Sequence, residues 1–294
     1  MTDSRGPDGA EAPQGADPPV LYERRGPVAV VTLNRPKYGN AQNPHMLYEL
    51  DAAFMRAVND DEIGAIVLHG AGKHFSSGHD LGTPGGYAWV RDLDNRTPWY
   101  GYHGKARVEG QYAAEQEMYL GLCRRWRDIP KPTIAAVHGA CIAGGLMLAW
   151  ICDLIVASDD AFFADPVVAM GVPGVEYFAH AYELPPRIAR EFLMLGERMS
   201  ARRAGELGMV NRVVPAARLM EEAMQMGERL AERPRFALAL TKQALNLVDD
   251  LKGKRNAMEG VFAMHHLAHA YNSAVHGAPV AAPSLRDEKP ASAG

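Results

Sequence analysis

Cysteine is scarce in this chain of 294 residues: there are three, Cys123, Cys141 and Cys152, with no close pair motif, and all lie in apolar surroundings. That pattern fits buried free thiols in a reducing cytoplasm rather than disulfides or a zinc-binding cysteine set. Long apolar runs are absent too. The longest, from Ala140 to Cys152, is closed by Asp153 and falls short of the roughly 20 residues that cross a bilayer. The first nineteen residues have no apolar stretch of the kind a secretory signal needs. Charge is balanced, at −4 net, so there is no global pull toward nucleic acid or an anionic membrane. The short Arg124-Arg-Trp-Arg127 cluster is too small to carry RNA binding. A cytoplasmic protein without nucleic-acid or membrane partners is the expectation.

What is present is an ordinary globular composition, 47% hydrophobic and 22% charged. Val28 to Leu33 is a β-rich run stopped by Asn34-Arg-Pro36, and Pro44 opens a helix whose Leu47, Leu50, Phe54, Met55 and Val58 share one face. Ile63 to His69 is a second strand, so strand, helix and strand form a βαβ unit with a right-handed crossover. The periodicity then fails between Leu81 and Gln111, where Tyr87, Trp89, Trp99, Tyr100 and Tyr102 crowd an uncommonly long loop. Two readings stand for it: a surface insertion pinned by its own aromatics, or a lid or substrate wall.

A helix is expected from Glu115 to Asp128, a third strand at Thr133 to Val137, a buried helix after His138-Gly139, and a fourth strand from Asp153 to Ala157. Ala161 to Phe163 reads as a short strand and 170–177 as irregular. Helices dominate the rest, near 187–195, 200–207, 219–233, 236–251 and 256–271. Residues 1–19 and 277–294 read as disordered tails around a core of 20–198 and a helical region of 199–276.

Two glycine-bearing turns follow buried strands, Gly72-Lys-His-Phe-Ser-Ser-Gly-His-Asp-Leu81 and His138-Gly-Ala-Cys-Ile-Ala-Gly-Gly145. Turns of this kind can aim unpaired backbone N–H groups at one point, and the helix beginning near Gly144 adds its dipole. Such a pair would stabilise an enolate or tetrahedral oxyanion by about 3 to 4 kcal/mol per donor. Glycine turns between strand and helix are also common in α/β proteins for structural reasons alone.

Taken with Asn34-Arg-Pro36, Asn40-Ala41, Lys131-Pro-Thr-Ile-Ala-Ala-Val-His-Gly139, Cys152-Asp-Leu-Ile-Val-Ala-Ser158 and Gly196-Glu-Arg-Met-Ser-Ala201, these turns resemble the enoyl-CoA hydratase/isomerase family, the crotonases, from about Val20 to Tyr271. The resemblance implies an α/β spiral of ββα units and a C-terminal helical region that assembles a homotrimer or homohexamer. It further implies a thioester carbonyl held by the amides of His79 and Gly144, and acyl-CoA contacts along Ser77, Gly78, His79 and Asp80. Coenzyme A would enter as part of the substrate, with no separate cofactor.

The resemblance is incomplete where hydratases carry two proton-handling glutamates, because the matching positions here are Met147 and Val167, neither of which transfers a proton. Glu176, after Pro173-Gly174, is the candidate replacement, with Tyr177 and His180 as weaker ones and Asp165 assigned a structural role. The open reactions are hydratase- or isomerase-like chemistry, decarboxylation (which the Ser-Gly-His-Asp motif also resembles) and hydrolysis. A non-catalytic CoA-ester-binding subunit is the alternative of another class. His265, His266 and His269 have a metal-like spacing, but only His265 and His269 share a helix face and no carboxylate completes a triad, so the expectation is helix packing or a CoA-facing role and no metal.

Overall fold

The computed structural model describes residues 17–82 and 94–280. Strands β1 (Val20–Arg25) and β2 (Val28–Leu33) form an antiparallel hairpin across Gly26-Pro27, with Gly26 at φ +58° where a side chain would be strained. Helix α1 (Pro44–Asn59) starts at Asn43, whose side chain accepts the Met46 amide at 3.0 Å, with proline in the first turn where its missing N–H costs nothing. It leads into β3 (Ala65–Gly70), which lies parallel to β2.

Helix α2 (Arg107–Glu115) begins eight residues before the sequence suggested, then widens into a π-turn at Gln116–Gly121 and continues as α3 (Leu122–Arg127). Glu117, in the π-turn, is buried. Its buried carboxylate accepts the amides of Arg96 (2.6 Å) and Thr97 (3.1 Å), the Thr97 hydroxyl and the Tyr48 hydroxyl, so it ties the described part of the preceding loop to the helix. Trp99 stacks on Tyr100 and tilts against Tyr112. From residue 94 on, that loop is therefore pinned partly by its aromatics; Tyr87 and Trp89 lie outside the described residues.

Strand β4 (Thr133–Val137) is followed by a three-residue strand, β5 (Ala140–Ile142), which the sequence did not announce, and then by the buried helix α4 (Gly144–Trp150). Next come β6 (Leu154–Ser158), β7 (Phe162–Ala164), α5 (His180–Glu183), α6 (Pro186–Leu195), β8 (Met199–Ser200) and α7 (Ala201–Glu206). After β9 (Arg212–Val214) the chain is helical: α8 (Leu219–Ala231), α9 (Arg235–Leu251) and α10 (Lys254–His276). The main sheet has the order β1-β2-β3-β4-β6-β9, parallel after the first pair, and a small sheet runs β5-β7-β8. This is the expected α/β spiral. Both β8 and β9 come from the segment expected to be only helical, so that segment completes both sheets.

Strand alternation splits the buried residues between two faces. Ala29, Val31, Leu33, Ile66, Leu68, Ala135 and Val137 join the large core with α1, while Val28, Val67, Ile134, Ala136 and Val156 meet Leu219, Ala223 and Met226 of α8. Ser200 caps α7 by accepting the Arg203 amide. Pro18 and Pro19 accept hydrogen bonds from Asn34, and Pro279 lies within hydrogen-bond distance of His269 Nδ1.

Helix α8 lies close to the sheet because Gly227 has no side chain; a Cβ there would stand 3.1 Å from Val28 Cγ2 and 3.7 Å from Ile134 Cδ1. Gly227→Ala is expected to stay within about 1 kcal/mol of the parent, its helix propensity offsetting the tight contact. Gly227→Leu should cost about 1 to 3 kcal/mol by overpacking, read from urea unfolding midpoints at constant slope. A leucine variant as stable as the parent would show that close approach does not seat this helix.

Candidate active site

The two glycine turns meet. They leave the carboxyl ends of the neighbouring parallel strands β3 and β4, the edge at which open α/β sheets place their sites. The Ser76 amide donates to Ala140 O at 3.1 Å and the Ile142 amide donates back to Ser76 O at 3.0 Å, joining the turns like a short parallel ladder. Gly78, at φ +97°, passes so close that a Cβ would stand 2.9 Å from Ile142 O and 3.2 Å from the Gly144 nitrogen; at Gly145 one would stand 2.5 Å from Ser76 O. Ala143, between them, takes the rare φ of +48°.

Among the described residues, neither the His79 amide nor the Gly144 amide has an acceptor, and Gly144 stands at the first turn of α4, where amides lack intrahelical partners. Gln42 closes the back of the turn: its Nε2 donates to Ser76 Oγ at 3.2 Å, and its Oε1 is buried without a partner. Gly78 is buried with this cluster, whereas Ser77 is exposed, its hydroxyl 3.4 Å from Tyr38 O. The Asp80 side chain is committed to a buried ion pair with Arg35 at 2.8 Å, and its amide donates to Gln42 O at 2.9 Å.

The His79 ring stacks on Tyr119 of the π-turn, with centroids 3.7 Å apart, and covers the place where Gly144 would carry a Cβ. Its Nε2 lies 3.6 Å from Glu176 Oε2, and the other Glu176 oxygen lies 3.6 Å from His265 Nε2 on α10. Glu176 is thus buried between the first turn and the C-terminal helix. Burial pushes its carboxyl well above the usual range, and the nearby Glu115 charge adds to this. Burial also lowers the His79 and His265 rings to about 4, so both are neutral near pH 7.

The sequence reading of the histidines needs correction. A carboxylate does reach them: Glu115, from α2, places Oε2 3.7, 3.2 and 3.4 Å from the Nε2 atoms of His265, His266 and His269. It is some 150 positions away in the chain, and no local motif could have announced it. Burial alone would raise the Glu115 carboxyl, but His266 and His269 outweigh it and hold the group below the usual carboxylate range. Burial likewise works against charge on His269, and Glu115 reverses the sign and raises it. Tyr119 and Gln42 were also missed; only the fold brings them to the turn.

The weaker candidates go elsewhere. His180 Nε2 pairs with Asp165 Oδ2 at 2.7 Å, both wholly buried, and the ring packs edge-on against Trp150. Tyr177 is fully buried, with its hydroxyl unpartnered among the described residues. Met147 on α4 and Val167 are buried in the large core.

The enoyl-CoA hydratase/isomerase family profile matches residues 23–89 and 101–274. The chain belongs to that family. A putative enoyl-CoA hydratase of Mycobacterium tuberculosis, EchA13, is 42% identical over 261 residues, covering 86% of this chain and 80% of the relative. Crystal structures of probable enoyl-CoA hydratases superpose with TM-scores of 0.81 for the Mycobacterium smegmatis protein (43% identical, 90% of this chain, 99% of that one) and 0.79 for the Mycobacterium thermoresistibile protein (45%, 89% and 98%). This crotonase-family chain is accordingly an enoyl-CoA hydratase/isomerase-like enzyme.

Proposed function

We propose that the enzyme binds an acyl-CoA thioester with its carbonyl oxygen between the His79 and Gly144 amides and that Glu176 moves a proton at the α-carbon. The observation that carries this reading is that the His79 and Gly144 amides are unpaired among the described residues while the buried Glu176 carboxyl lies 3.6 Å from the His79 ring nitrogen. Removal of the α-proton leaves an enolate whose charge gathers on the oxygen, where amides fixed by the joined turns need no reorganisation. A carboxyl raised by burial has a basicity closer to that of the α-carbon acid, and in the neutral form it returns the proton. Return to the γ-carbon moves a double bond. Met147 and Val167, at the positions the resemblance gives to the hydratase glutamates, offer no second proton carrier, which favours isomerisation over the usual hydration. Decarboxylation and thioester hydrolysis would use the same oxygen grip.

The exposed apolar rows Phe236, Leu240, Leu247 and Leu251 on α9, and Met264, Leu267, Tyr271 and Val275 on α10, support assembly as a homotrimer or homohexamer. Sedimentation equilibrium should return a multiple of three chains, with Leu267→Glu and Leu251→Glu weakening it; a parent protein monomeric at all concentrations would contradict this assembly.

Glu176→Gln is expected to abolish exchange of the α-hydrogen of a bound acyl-CoA in deuterated water while leaving its binding intact. Undiminished exchange would remove Glu176 from the role, and tight binding without conversion across a broad thioester panel, followed by mass spectrometry, would instead support a non-catalytic CoA-ester-binding subunit. The grip has its own test. Gly144→Ala would drive a methyl into the His79 ring, 2.6 Å from Cδ2, and should lower kcat/KM by about 10²- to 10³-fold, the usual cost of losing one oxyanion donor. Adding His79→Ala frees the space and keeps the residue 79 amide, so the double variant should recover much of the loss. If it recovers nothing, the ring rather than the amide is what the site requires.

A further inference from the structure

The histidine cluster on α10 is not used by the reaction proposed above, and its geometry is specific. His265 and His269 stand one helical turn apart on the same face, both buried. Each has its Nδ1 within hydrogen-bond distance of a backbone carbonyl, Gly174 O at 2.8 Å and Pro279 O at 2.7 Å. A carbonyl only accepts, so the ring hydrogen sits on Nδ1, and in the neutral ring Nε2 is a bare lone pair. Both Nε2 atoms are buried with no hydrogen-bond partner among the described residues, and so is Glu115 Oε2, which faces them. The other oxygen of Glu115 accepts from Gln111 Nε2 at 2.9 Å.

Three electron-pair donors therefore face one another in a buried space, each held from behind by a hydrogen bond at its far atom. That is the support that metal-ligating histidines and carboxylates have. The three ligand atoms lie within 4.8 Å of one another. Bonds of 2.0–2.1 Å to a tetrahedral zinc ion place neighbouring ligand atoms about 3.4 Å apart; Glu115 Oε2 is 3.4 Å from His269 Nε2 and 3.7 Å from His265 Nε2. His266 approaches the same oxygen at 3.2 Å but stands on the next face of the helix, packed by Tyr112 and Phe262.

We propose that Glu115, His265 and His269 form a binding site for a divalent cation of the zinc class, joining α2 to α10 and leaving a fourth position to water beside Glu176. Two imidazoles and one carboxylate are a borderline-soft set that selects zinc-like ions over magnesium or calcium, which prefer oxygen ligands.

The test uses the tag-free full chain, stripped with a chelator and titrated with Zn²⁺ by calorimetry, with Co²⁺ as a spectroscopic probe. One equivalent of Zn²⁺ per chain should bind and raise the unfolding midpoint, and Co²⁺ should give the strong visible bands of a tetrahedral site. Glu115→Gln and His269→Ala should lose both signals. Gln111→Ala removes only the support of Glu115 and spares the buried cluster if those variants misfold; it should weaken Zn²⁺ binding by about 10- to 100-fold. Failure of the parent chain to bind stoichiometric Zn²⁺ overturns the proposal and leaves a proton shared between Glu115 and its histidines. Binding that is unchanged in Gln111→Ala and survives His269→Ala overturns it as well, by placing the ion elsewhere.

Discussion

The rest of the site depends on the backbone bonds between Ser76 and the Ala140–Ile142 strand. They hold two turns from neighbouring strands closer together than side chains would allow, and the glycines at 78, 144 and 145 are the residues that make the approach possible. Each glycine contributes by what it lacks. With no Cβ at 145, Ser76 O comes close; with none at 144, the His79 ring settles over the helix start and meets Tyr119 on its other side. The free amides of His79 and Gly144 follow from the same closeness, since the chain there satisfies its neighbours and leaves these two donors over.

This part of the molecule was readable from sequence because it is local. At each place a strand runs directly into a glycine turn, the second turn opens α4 within ten residues of β4, and parallel pairing of β3 with β4 then places the turns side by side. The position of Glu176 between the turn and α10 was not readable, because residues 170–177 have no periodicity to fix their register. Glu115 was hidden for another reason. The π-turn after it changes the rotation of the helix, so that Glu115 meets the α10 histidines while Tyr119, four residues on, reaches His79. A regular helix would have set the two on one face. The strand β9 was missed because three residues with exposed or half-exposed side chains carry no pattern of their own and are strands only by pairing with β6.

Buried polar groups constrain the site as firmly as the glycines do. Glu115, Glu176, His79, His265, His266 and His269 lie in one connected set of contacts of 3.2 to 3.7 Å, a composition costly to bury unless charge is compensated within it. Compensation is unequal across the set. Glu115 is surrounded by three rings and favours its anion, whereas Glu176, with only neutral rings beside it and a second carboxylate near, favours its neutral acid. The two carboxyl groups that face His265 are thereby pushed in opposite directions, Glu115 below the usual carboxylate range and Glu176 above it.

That separation gives the C-terminal helix a part in the candidate site. His265 touches both carboxylates, and its Nδ1 is hydrogen-bonded to Gly174, two residues before Glu176. Any shift of α10 along its axis would therefore move the imidazole, the backbone that carries Glu176 and the balance between the two acids together. Helix α10 thus lines the candidate site through His265, and the exposed rows of α9 and α10 lie in the same helical region.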